Sequence, residues 1–143
     1  MKVLIDADAC PVTEIAVSAC RQRGICCLLL CDTAHEIHRD GAQTLVFDKG
    51  ADSVDFALAN RVEAGDIVVT QDYGLASMCM AKGAKVLHQD GWAYTMDNID
   101  ALLFARHESG KYRRAGGRTK GPKKREKAQD VVFAKAFQQI LQG

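Results

Sequence analysis

No stretch of these 143 residues approaches 18 uncharged apolar positions, and no basic N-terminal region precedes an apolar segment. The sequence therefore predicts neither a spanning helix nor a secretory leader, and it is expected to be an unanchored, cytoplasmic protein without a membrane partner. Six cysteines, at positions 10, 20, 26, 27, 31 and 79, include no CxxC pair. Nor do His35, His38, His88 and His107 complement them at zinc-ligand spacing, which argues against a structural zinc site. The thiols are expected to stay reduced, most of them as small core residues. Cys10 has no histidine nearby in sequence to activate it and reads as a packing or helix-entry residue. There is no internal repeat, and the length suits one domain spanning residues 1–143.

Net charge is also nearly absent, at +1, but only by cancellation. Residues 1–105 carry 8 Lys/Arg against 15 Asp/Glu, whereas residues 106–127 carry 10 against 2. The chain is an acidic body with a basic appendage, an asymmetry that suits a polyanionic partner.

What is present is a regular alternation of apolar runs and amphipathic segments. "VLI" after Lys2, "ICCLLLC", "TLVF", "DIVVTQ" and "AKVLH" are short, continuous apolar runs of the kind buried in a parallel sheet. Between them, "VTEIAVSACRQRG", "ADSVDFALANRVEAG" and "YGLASMCMAKG" have helical spacing. Gly24 and Gly65 stand at the ends of the first two. "TMDNIDALLFARH" is a further helix opened by Thr95, with Asp97 and Asp100 in its first turns. "AQDVVFAKAFQQILQ" closes the chain as another. Strands alternating with helices of about a dozen residues predict right-handed βαβ units and an α/β fold with a five-stranded parallel sheet. Residues 108–127, rich in Gly and Lys/Arg, are expected to form a mobile segment before the C-terminal helix.

The opening "MKVLIDADACP" places Asp6 and Asp8 where the first strand ends, and Pro11 in the first turn of the next helix. In an open α/β sheet, ligands bind at the carboxyl ends of the strands. Asp72 follows the fourth strand, which commonly neighbours the first across the switch point. Asp52 and Asp55, three apart, share a helix face feeding that strand. Converging carboxylates repel unless a cation lies between them. Oxygen donors favour Mg²⁺ or Mn²⁺, and such an ion suits phosphodiester hydrolysis. Asp6, Asp8, Asp55 and Asp72 are thus the candidate metal ligands and catalytic acids, with Asp52 as the alternative helix acid. Asp66, Asp32, Asp40 and Asp48 read as loop or turn carboxylates.

"LIDADACPV", "KGADSVDFALANRVEAGDIVVTQDYGLA" and "GPKKREKAQDVVFAKAF" resemble the bacterial YaiI/YqxD family, also called DUF188 or UPF0178. That group is similar in turn to the PIN-like nucleases. The resemblance implies a PIN-like three-layer α/β/α fold with a central, mainly parallel five-stranded sheet. It also implies a metal-dependent nuclease, with RNA as the expected substrate. The family positions are matched by Asp6 and Asp8, by Asp52 or Asp55, and by Thr70-Gln71-Asp72, with Thr70 contacting substrate. A further acid usually lies between the second and third strands; Asp32, Glu36 and Asp40 are the residues available there.

In "KYRRAGGRTKGPKKR", Arg113, Arg114, Arg118, Lys123, Lys124 and Arg125 are candidate phosphate contacts. Tyr112 is a single aromatic beside them. The segment could also be a solvated linker, or fold over the crevice of its own or a neighbouring chain in a homo-oligomer. Two rivals to the nuclease are readable. A phosphatase of the haloacid dehalogenase type would use Asp6 as nucleophile and Asp8 as acid, although Cys10 replaces the expected Thr or Val and no Lys is placed for the phosphate. A non-catalytic nucleic-acid- or partner-binding module would keep the fold and bind through residues 111–125. His88 reads as a structural histidine and Trp92 as core or lid packing.

Overall fold

The computed structural model describes residues 1–49, 53–116 and 124–143. Five strands, β1 (Val3–Asp6), β2 (Cys27–Asp32), β3 (Gln43–Phe47), β4 (Ile67–Val69) and β5 (Lys85–Leu87), form one sheet in the order β3-β2-β1-β4-β5. Every neighbouring pair is parallel, as the continuous apolar strands require.

Side chains alternate across a strand, so each strand feeds two cores. Val3, Ile5, Leu29 and Val69 face α1 (Thr13–Arg23) and α5 (Lys127–Leu141). Leu4, Leu28, Leu30 and Val68 face α2 (Ser53–Arg61), α3 (Tyr73–Ala81) and α4 (Met96–Arg114). The result is a three-layer α/β/α fold. Phe133 and Phe137, one turn apart on α5, stack with centroids 5.4 Å apart and are fully buried against the first face.

Local chemistry sets the helix ends. Gly24 takes the left-handed conformation (φ 65°) that closes α1, with its N–H on the Arg21 carbonyl. Thr95 opens α4 through a capping box with Asn98. Pro11 lies in the turn ahead of α1, whose N-cap is Val12, and not in the helix itself. α4 runs on through Glu108–Arg114, residues expected in the basic segment. Gly110 is the one weak helix former there, and Lys111, Arg113 and Arg114 in the last turn suit the negative end of the helix dipole. No helix among the described residues is long and apolar enough to cross a membrane.

At the amino ends of β1 and β4, Asp66 is a structural carboxylate. It is 3% exposed, and it accepts from Lys2 Nζ (2.7 Å), Lys2 N (3.1 Å) and Glu63 N (2.8 Å). Burial works to raise its pKa, but these bonds and the Lys2 charge hold it below the ordinary carboxylate range.

Truncating Phe133 to Ala opens a cavity beneath α5 and should cost about 3–5 kcal/mol in urea denaturation. A loss below about 1 kcal/mol would mean that this face is not packed as described.

Candidate active site

The parallel register carries the strand ends to one edge. Ile5 is level with Val69, so Asp6, the last residue of β1, arrives beside Thr70, the residue after β4. Thr70 is 2% exposed; its hydroxyl donates to Asp6 Oδ2 at 2.9 Å and accepts from Asp72 N at 3.0 Å. Buried in this way, Thr70 does not line the cavity, which corrects its expected role in substrate contact. It is a positioning residue that fixes one acid directly and the next through its backbone.

Asp72 is the N-cap of α3, its Oδ1 accepting from Gly74 N (2.8 Å) and Leu75 N (3.1 Å). After Asp6 the chain turns through Ala9, a non-glycine residue at φ 55°. That conformation costs an L-residue roughly 1–2 kcal/mol, and it lies at the cavity wall. Asp8 Oδ1 accepts from Asp32 N at 3.2 Å, joining the loops after β1 and β2. Asp32 Oδ1 in turn meets His35 Nδ1 at 2.9 Å and Ala34 N at 2.9 Å.

These groups surround a cavity of about 590 Å³ lined by Asp6, Asp8, Asp32, Asp55 and Asp72, with Gln71 and Tyr73 at one side. Asp6, Asp8, Asp55 and Asp72 are therefore brought together as the sequence suggested. Asp32, which the sequence offered only as a turn carboxylate and as one of three acids available between β2 and β3, joins them at the cavity wall. Its signal was its place at the end of the apolar run "CLLLCD", the same position that made Asp6 and Asp8 candidates. Asp52 lies outside the described residues.

No Lys or Arg lines this cavity among the described residues. Burial, joined by the nearby charges of Asp8 and Asp72, pushes Asp6 up to about 6 despite its bond from Thr70. Asp32 is held below the ordinary carboxylate range by the His35 hydrogen bond. Ligand atoms of Asp8, Asp32 and His35 lie within 4.8 Å of one another. Carboxylates with one imidazole at that spacing fit a hard divalent cation such as Mg²⁺ or Mn²⁺, the imidazole leaning toward Mn²⁺. Asp8, Asp32, Asp55 and Asp72 are the residues that would hold it.

The basic residues are placed differently. Arg113 and Arg114 end α4, and Lys124 is exposed ahead of α5. Arg118 and Lys123 lie outside the described residues. Arg125, expected as a phosphate contact, is held by carboxylates: Nε meets Asp130 and NH1 meets Asp90, each at 2.8 Å, while NH2 reaches the Gln89 carbonyl at 2.9 Å.

Residues 4–143 match a family model described as "Uncharacterized BCR, YaiI/YqxD family". A UPF0178 protein of Exiguobacterium sibiricum is 49% identical over 141 residues, 99% of this chain and 96% of that one. Another, of Ruminiclostridium cellulolyticum, is 51% identical over 137 residues, covering 96% and 90%. A third, of Clostridium acetobutylicum, is 45% identical over 143 residues, covering 99% and 97%. No solved structure matches.

The raised pKa of Asp6 has a stability consequence. Below about pH 4 the acid is protonated in both folded and unfolded chains and costs nothing. Above about pH 6 it is ionised in the fold against burial and its neighbours, so stability falls as pH rises through that window. In metal-free buffer, Asp6→Asn should thus be more stable than wild type at pH 7.5, by on the order of 2 kcal/mol. In urea titrations that gain should vanish at pH 4; equal stability at both pH values would contradict the buried, crowded carboxylate.

Proposed function

The chain belongs to the YaiI/YqxD family, and we propose that its strand-end carboxylate crevice is the active centre of a metal-dependent nuclease that hydrolyses RNA phosphodiesters. The observation that carries this reading is the gathering of five aspartates from four separate segments of the chain around one cavity at the carboxyl edge of the sheet. Such a set is costly for folding, and a divalent ion removes the cost. The resemblance to PIN-like nucleases supports the same reading, because acids at the ends of the first and fourth strands with a helix acid between them are what it implies.

When bound, the cation would stabilise charge on the phosphoryl group and lower the pKa of attacking water. The chain's own part is positioning and electrostatics. Asp8 and Asp32 are fixed to each other by the Asp32 N–H, and Asp72 is fixed by the two N–H groups of α3. Asp6 is anchored by Thr70 and, at about 6, can hold or release a proton near neutral pH. His35 sits at the exposed rim, its Nδ1 on Asp32. A haloacid-dehalogenase-type phosphatase fits less well. Its nucleophilic carboxylate must be open to the phosphate, whereas Asp6 Oδ2 is engaged by the Thr70 hydroxyl.

Labelled single-stranded RNA incubated with Mn²⁺ provides the test. Wild type should cleave it, EDTA should stop cleavage, and Asp72→Asn or Asp32→Asn should lower the rate at least about 100-fold. Asparagine still caps a helix, so Asp72→Asn keeps the fold while removing the charge. RNA bound but uncut by wild type at every Mn²⁺ concentration would overturn the nuclease and leave a binding module.

A further inference from the structure

A second cleft, of about 480 Å³, adjoins the carboxylate crevice and shares Gln71 and Tyr73 with it. Its aromatic side is built from the turn between β5 and α4. His88 and Trp92 stack with centroids 4.3 Å apart and planes 11° apart, and the buried Tyr94 packs its edge on Trp92 at 4.7 Å. Tyr73, the first residue of α3, meets Tyr94 edge-on at 6.1 Å.

This turn is held more firmly than a surface turn needs. His88 N donates to the Trp92 carbonyl (2.8 Å), Gly91 N to the His88 carbonyl (2.9 Å), and Asp90 N to His88 Nδ1 (3.0 Å). The last bond makes Nδ1 an acceptor, and burial lowers the His88 pKa, so the ring is a neutral stacking surface. Gly91, at φ 92°, lies so close to α5 that a Cβ there would stand 2.8 Å from a Val132 methyl. The Arg125 guanidinium then joins Asp90 and the Gln89 carbonyl to Asp130 on α5.

The charge balance narrows what the cleft can take. Arg125 is its one lining cation among the described residues and is already matched by two carboxylates. A phosphate gains little there, while an uncharged planar group with hydrogen-bonding edges finds aromatic rings and the side-chain amides of Gln71 and Gln89. Neither amide has a hydrogen-bond partner among the described residues. The volume suits a nucleoside.

We propose that this cleft is a nucleobase subsite, which seats a base of single-stranded RNA beside the phosphate presented to the carboxylates. The inference rests on the nuclease reading for the neighbouring phosphate, but not for the binding of the base. Because the crevice repels anions when empty, stacking here would supply affinity that phosphate contacts do not.

Trp92 is the chain's one tryptophan, so its fluorescence reports on this cleft alone. The probes are adenosine and a five-nucleotide RNA, titrated in EDTA so that no cleavage or metal binding is involved, beside a five-unit abasic oligonucleotide. The expected result is saturable quenching by the base-bearing probes and none by the abasic one. Tyr73→Ala should weaken binding about 10-fold, whereas Tyr73→Phe, which keeps the ring, should leave it within about twofold. Gln89→Ala, at a half-buried position of the turn, is a second variant that removes an amide without disturbing a helix, and it should also weaken base binding. No quenching by the base-bearing probes, or equal quenching by the abasic oligonucleotide, overturns the subsite even if the protein cuts RNA. Saturable base-dependent quenching in EDTA, with no cleavage of RNA in Mn²⁺, supports the subsite and counts against the nuclease alone.

Discussion

The Thr70 hydroxyl ties β1 and β4 together at the point where the pairing between them ends. It donates to Asp6 at the end of β1 and accepts from the Asp72 N–H after β4. A hydroxyl can do both at once, which a carboxylate or an amide N–H cannot. Everything nearby follows from that junction. Asp72, placed by it, caps α3; α3 starts at Tyr73, which walls both clefts; and Asp6 is held under its neighbours' charge instead of swinging into solvent.

The two ends of the same strands show how differently one fold can treat a carboxylate. At the amino end Asp66 is more buried than Asp6, yet Lys2 and two backbone N–H groups hold its pKa down. At the carboxyl end five aspartates share one cavity with no lining cation among the described residues, and Asp6 is pushed up. Both residues are aspartates beside an apolar strand; compensation, not burial alone, separates a structural acid from a candidate catalytic one.

Much of this was legible in the sequence for stated physical reasons. Continuous apolar strands between amphipathic helices specify a parallel sheet, and in such a sheet Asp6, Asp8 and Asp72 must fall on one edge. Asp32 obeys the same rule, but the polar stretch after it resembles a loop, and no local pattern separates a strand-end acid from a turn acid there. Thr70 was visible through resemblance, but its burial was not: a residue two before an N-cap can face substrate or the sheet, and only the packed register decides. The clamp on Arg125 depends on Asp90, 35 positions away in sequence, and no local pattern reveals it. α4 outran its expected end because one glycine costs about 1 kcal/mol, too little to stop a helix whose following residues favour its C-terminus.

The central claim is that the carboxylates form a cation site. Calorimetric titration of Mn²⁺ into the full chain at pH 7.5 tests it most directly, with Asp8→Asn as the comparison. The account predicts saturable binding in wild type and a loss of affinity of at least about 10-fold in the variant. Heats no larger than dilution in both proteins, or identical binding by both, would contradict it.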